Sequence, residues 1–146
     1  MGRWAWAGVS AEAIEHNVRA IAASVAPAAV WAVVKANGYG HGAEVAARAA
    51  LAGGAAGLCV ALIQEGVSLR EAGIDAPILV LSEQPPDELA TAVGHRLALT
   101  IYSEAQLRAL EAAGARAHPV HVKVDTGMRR VGAAPEDAVA IATLVA

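Results

Sequence analysis

VHVKVDTGMRRVG, residues 120–132, alternates apolar and polar side chains until a glycine breaks it. On a strand, Val120, Val122 and Val124 share one face, and His121, Lys123 and Asp125 share the other. The apolar face suits a layer of helices. The polar face bears on the architecture. In an open sheet with helices on both sides, Lys123 and Asp125 would be buried at a cost, whereas in a closed barrel they project into the interior near its catalytic end.

Working outward, this is the last of five apolar runs: VWAVVK (30–35), GLCVAL (57–62), PILVLS (77–82), LALTIY (97–102) and HPVHVKVD (118–125). Helical stretches such as AEVAARAALAGG (43–54) and SEAQLRALEAAG (103–114) separate them, and PEDAVAIATLVA (135–146) reads as the helix after the fifth strand. Before the first strand, Ser10 is the expected N-cap of a helix carrying Ile14, Val18, Ile21 and Val25 at helical spacing. Ser103 with Gln106 has the pattern of a capping box, and Gly54, Gly73, Gly94 and Gly114 stand where helices should stop.

Near-continuous apolar strands alternating with helices predict an α/β protein with a parallel sheet. Two architectures fit. An open doubly wound parallel sheet is complete with five strands, whereas a (β/α)8 TIM-type barrel takes about 250 residues and would be incomplete here, with about five β/α units.

The chain has 146 residues, 56% of them hydrophobic and 17% charged, and no Phe, so its core is aliphatic and alanine-rich. The formal net charge is −3 and the Lys and Arg residues are scattered, which argues against a nucleic-acid surface. No apolar run approaches the roughly 20 residues of a membrane span, and no secretory signal is visible, so cytoplasm is the expected compartment. Cys59 is the single cysteine, which excludes an internal disulfide. His118 and His121 sit three apart on a presumed strand and face opposite sides, so no metal site is expected.

VVKANGYGHG, residues 33–42, places Lys35 at the end of the first apolar run, before Gly38, Gly40 and Gly42. Parallel α/β proteins build their sites at the carboxyl ends of strands. A lysine there either snorkels to the rim or serves as a partly desolvated amine able to attack an aldehyde. Tyr39 is placed to offer a phenol to a phosphate or carboxylate, and amides around Gly38, Gly40 and Gly42 are placed to support an anion. His41 reads first as a local hydrogen-bond donor in a polar turn. Arg129 and Arg130 follow Gly127 at the same edge, either to hold an anionic group or to pair with Asp125 or Glu136.

Taken together, AVVKANGYGHG, REAGIDAPILVL and VKVDTGMRRVG, with IEHNVRAI ahead of them, resemble the N-terminal domain of alanine racemases. The resemblance covers essentially the whole chain and implies that residues 1–146 are the front part of a PLP-binding barrel domain, a fragment lacking the later strands and a C-terminal β domain. It implies a PLP-dependent isomerase that interconverts L-alanine and D-alanine, supplies D-alanine for the cell wall, and acts as a homodimer in the complete protein.

By motif, Lys35 resembles the lysine that forms the internal aldimine with pyridoxal 5'-phosphate and acts as one of two catalytic bases. Tyr39 resembles the tyrosine that contacts the cofactor phosphate. Arg130 resembles the arginine that binds the cofactor phenolate oxygen and positions the substrate carboxylate. Lys123 resembles a lysine that is carbamylated in several members. Arg129 departs from the resemblance, standing where a glycine is usual, and Gly38 replaces a more usual alanine. The family's second base is a tyrosine of the partner subunit's second domain, so the chain alone is expected to be weakly active or inactive. A broad-specificity amino-acid racemase and a noncatalytic PLP-binding barrel protein are the alternatives.

Overall fold

Ser10 does start a helix: its hydroxyl accepts the Ala13 amide at 3.1 Å and caps α1 (Ala11–Val25). The computed structural model describes residues 4–115 and 117–145. After α1 come β1 (Trp31–Val33), the single turn α2 (Lys35–Tyr39), α3 (Ala43–Ala52), β2 (Gly57–Val60), α4 (Ile63–Glu71) and β3 (Ile78–Val80). A 3-10 turn (Pro86–Glu88) leads into α5 (Leu89–Gly94), β4 (Ala98–Ile101), α6 (Glu104–Ala112), β5 (Val120–Val122) and α7 (Pro135–Val145).

The strands form one sheet in the order β1-β2-β3-β4-β5, every neighbouring pair parallel. All the carboxyl ends therefore lie along one edge. Leu58, Val60, Ile78, Val80 and Leu99 point to the helical layer and are wholly or almost wholly buried there with Ile63, Leu69, Leu89 and Leu110. Alanines 46, 47 and 50 let α3 join the same core. On the opposite face Cys59, Ala98 and Thr100 are buried, and burial pushes the Cys59 thiol pKa up.

The sheet is rolled. Four interstrand gaps at roughly 4.8 Å would hold the edge strands of a flat sheet ~19 Å apart, yet the rings of Trp31 on β1 and His121 on β5 meet edge-on with centroids 6.2 Å apart. They touch across the concave side, which is the start of a barrel interior and not a helix-covered face. Gly57 is needed for this: it pairs with Trp31, and a Cβ there would lie 2.7 Å from the indole.

Several sequence expectations need correction. The fifth run yields only three paired residues, after which the chain loops round so that Val124 makes an isolated parallel bridge to Ala133, next to the positive-φ Gly132. Gly94 does end α5 as expected, and the left-handed residue that follows is Arg96, at φ 53°. The capping box at α6 is half made: Ser103 accepts the Gln106 amide, while the Gln106 amide group is buried without a partner. On α1, Val18 is buried but Ile21 and Val25 are exposed, since the shorter α3 covers only part of the helix.

At the amino end of the sheet, Arg70 of α4 ties turns together. Its guanidinium donates to the carbonyls of Ile74 (2.6 Å), Ala76 (2.7 Å), His95 (3.0 Å) and Arg96 (3.1 Å). Burial, then the neighbouring Arg96, lowers its pKa, but so basic a group keeps its charge.

Candidate active site at the carboxyl edge

Lys35 stands one residue beyond β1, after the buried Val34, and is partly buried. The turn it opens is left-handed: Ala36, Asn37 and Gly38 have φ of 51°, 54° and 62°, and Tyr39 has 54°. Such backbone costs roughly 1–2 kcal/mol at each ordinary L-residue, so neighbours must hold it in place. Gly38 itself is wedged against α3, where an added Cβ would lie 3.1 Å from the Cβ of Ala46.

Several bonds do the holding. The Gly38 amide donates to Val34, Gly40 to Asn37 (3.1 Å), and Gly42 to Asn37 (2.9 Å). The Asn37 side chain accepts the Ala43 amide at 2.9 Å, and His41 Nδ1 donates to the Gly38 carbonyl at 2.8 Å. His41 is thus the local donor its setting suggested. The glycine amides are not free to cradle an anion, which corrects that expectation, because the turn consumes them itself.

Glu65 is the residue the sequence reading missed. Its Oε1 accepts the Ala36 amide at 2.6 Å, and its Oε2 accepts Ala61 at 2.8 Å and Leu62 at 3.1 Å. The only local signal was its place three residues after the N-cap Leu62, where a glutamate commonly reaches back to orphan amides. Nothing in the sequence links it to Ala36, 29 positions away. Gln84, buried at the next strand end, holds the same loop by accepting Ile63 at 3.3 Å and donating to Ala61 at 3.0 Å.

Tyr39 points outward, 60% exposed. Lys123 continues the fifth strand, its amide bonded to Ile101 at 2.9 Å and its carbonyl to Ala133 at 2.8 Å. Beyond it, Asp125 Oδ1 accepts the amides of Gly127 (2.8 Å) and Arg129 (3.0 Å). Those amides, Arg129 first, hold the Asp125 carboxyl below the usual carboxylate range; Met128 and the charge of Lys123 add to the effect. Among the described residues neither Arg129 nor Arg130 forms an ion pair; the exposed Arg130 guanidinium donates only to Met128 Sδ, at 3.2 Å. Lys35 with Tyr39, and Lys123 with Arg130, therefore stand on the same edge, at the ends of the two strands whose rings meet across the interior.

Residues 9–146 match the family described as "Alanine racemase, N-terminal domain". The chain belongs to that family. It is 43% identical over 145 residues to an alanine racemase of Desulfovibrio desulfuricans, covering 97% of this chain and 39% of that protein. An alanine racemase of Mycolicibacterium smegmatis is 46% identical over 128 residues, covering 86% of this chain and 33% of its own length. The crystal structure of alanine racemase from Streptomyces lavendulae superposes with a TM-score of 0.88 at 33% identity, over 94% of this chain and 37% of that one. The chain thus spans under two fifths of the curated alanine racemases it matches. The fold is that of the alanine racemase N-terminal barrel, and the alternative of a complete open sheet is discarded on this likeness and on the Trp31–His121 contact. No helix among the described residues is long and apolar enough to cross a membrane.

Proposed function

We propose that this chain supplies the lysine-bearing part of a PLP-dependent alanine racemase, interconverting L-alanine and D-alanine. The observation that carries the reading is Lys35, an amine fixed at the end of the first barrel strand in a chain of this family. The residues fit the cofactor's chemistry: an amine for its aldehyde, a solvent-facing phenol at Tyr39 for its phosphate, and an unpaired guanidinium at Arg130 for its phenolate oxygen. When bound, PLP supplies the electron sink that acidifies the substrate α-carbon.

Lys35 Nζ serves as the base on one face, taking the α-proton and returning it. Arg130 holds the substrate carboxylate, so that the α-carbon presents one face to that amine. Inversion needs a proton donor on the opposite face, which the complete homodimeric enzyme, working in the cytoplasm, provides. Lys123, once carbamylated, becomes an anion able to orient Arg130.

The test is simple because the sequence holds only two lysines, Lys35 and Lys123. PLP is added, adducts are reduced with borohydride, and the modified peptides are mapped. Enrichment at Lys35 is expected. Equal labelling of Lys35, Lys123 and the N-terminal amine overturns the assignment.

A further inference from the structure

We infer that Glu65 is the positioning residue for Lys35, holding its side-chain direction through the peptide that joins Lys35 to Ala36. The inference rests on Lys35 being the reactive amine.

Lys35 lies between two pinned peptides. On its amino side the carbonyl of Val34, part of the Val34–Lys35 peptide, accepts the Gly38 amide at 2.9 Å, and one peptide earlier the Val34 amide donates to the Cys59 carbonyl of the neighbouring strand at 2.9 Å. On its carboxyl side the Ala36 amide donates to Glu65 Oε1 at 2.6 Å. That amide belongs to the Lys35–Ala36 peptide plane, so fixing it fixes ψ of Lys35. With the backbone set on both sides, the Cα–Cβ bond of Lys35 has one direction, which is the placement a reacting group needs.

Glu65 is itself anchored, because its other oxygen takes the Ala61 and Leu62 amides of the loop after β2. Val34, Asn37, Ala43, Val60 and Glu65 line one small cavity, so the carboxylate sits directly under the left-handed turn. The clamp acts on the residue where strain begins: Ala36 is the first of the left-handed series, and as an alanine it has no side chain to stabilise that conformation. A carboxylate is required because both oxygens accept. A glutamine offers one acceptor, and its amide nitrogen would face an N–H donor at the other position.

This requirement separates the clamp from a plain helix cap. In Glu65→Gln the single carbonyl can still serve Ala61 and Leu62 and cap α4, leaving the Ala36 amide without a partner. In Glu65→Ala both roles are lost. Wild type and both variants are compared by amide hydrogen exchange at Ala36 and by PLP labelling with borohydride reduction, scored as Lys35 against Lys123. The expected result is exchange at Ala36 at least ~10-fold faster in both variants, with the Lys35 preference reduced several-fold. Glu65→Gln, which keeps the cap and loses only the Ala36 bond, should melt between wild type and Glu65→Ala. Unchanged Ala36 exchange overturns the clamp, and faster exchange with the Lys35 preference intact overturns its role in positioning. If the wild type itself shows no Lys35 preference, the cofactor reading fails, and the Ala36 exchange alone then decides whether Glu65 holds the turn.

Discussion

The loops after β1 and β5 solve one problem in two ways. Each carries a basic residue at the carboxyl edge, each contains left-handed backbone at non-glycine positions, and each gathers backbone amides onto a carboxylate. After β1 the carboxylate comes from Glu65, on the far side of the neighbouring strand. After β5 it comes from Asp125, two and four residues from the amides it binds. The first loop is thereby part of the sheet's tertiary structure, while the second is a local turn in solvent. A site built this way has one rigid wall and one that is easily reshaped.

The largest effect should come from removing the tertiary clamp. Glu65→Ala strips three amides of their acceptor and should cost about 3 kcal/mol, read by denaturant unfolding; a loss no larger than that of an exposed helix cap would erase the distinction between the loops.

Next is Gly132→Ala, where φ is 128° and a Cβ would lie 2.6 Å from the Asp125 amide nitrogen. It should cost about 2 kcal/mol, measured the same way, by breaking the pairing of Asp125 with Ala133.

A gain is expected at Arg129, held at φ 56°. Arg129→Gly relieves that strain and should stabilise by about 0.5 kcal/mol once the added freedom of the unfolded chain is offset. A loss would mean that the guanidinium contributes to the fold.

The smallest effect concerns pH. The Asp125 carboxyl titrates lower when folded than unfolded, so its contribution is complete above the unfolded value and fades as pH falls through the folded one. Asp125→Asn should therefore be less stable than wild type near neutrality and converge with it in acid. Parallel curves across the whole range would show that the Asp125 charge has no part in holding the turn.

What could be read from sequence follows the range of each interaction. The five strands were visible because each is a local apolar run, and Lys35 was visible because it ends one of them. The roll of the sheet rests on Trp31 meeting His121, and no local pattern encodes that contact. The handedness of the Lys35 turn was hidden for a related reason: Ala36 and Tyr39 carry no signal for positive φ, and the group that stabilises the turn is Glu65, distant in sequence. Gly38, Gly40 and Gly42 did mark a turn but suggested the wrong use for its amides, which bond within it. Arg129 was legible in one respect, as an arginine where the resembling proteins usually have glycine, and its positive φ gives that departure a physical meaning.

Arg70 gives the opposite end of the sheet a different standing. One planar group with fixed bond lengths spans the turns leading into β3 and β4, so the spacing of those two strands is set where no chemistry happens. Loops at the carboxyl edge can then drift in sequence without shearing the strands beneath them. A single side chain at the base of the sheet thus acts as a spacer for two strands whose other ends carry the loops.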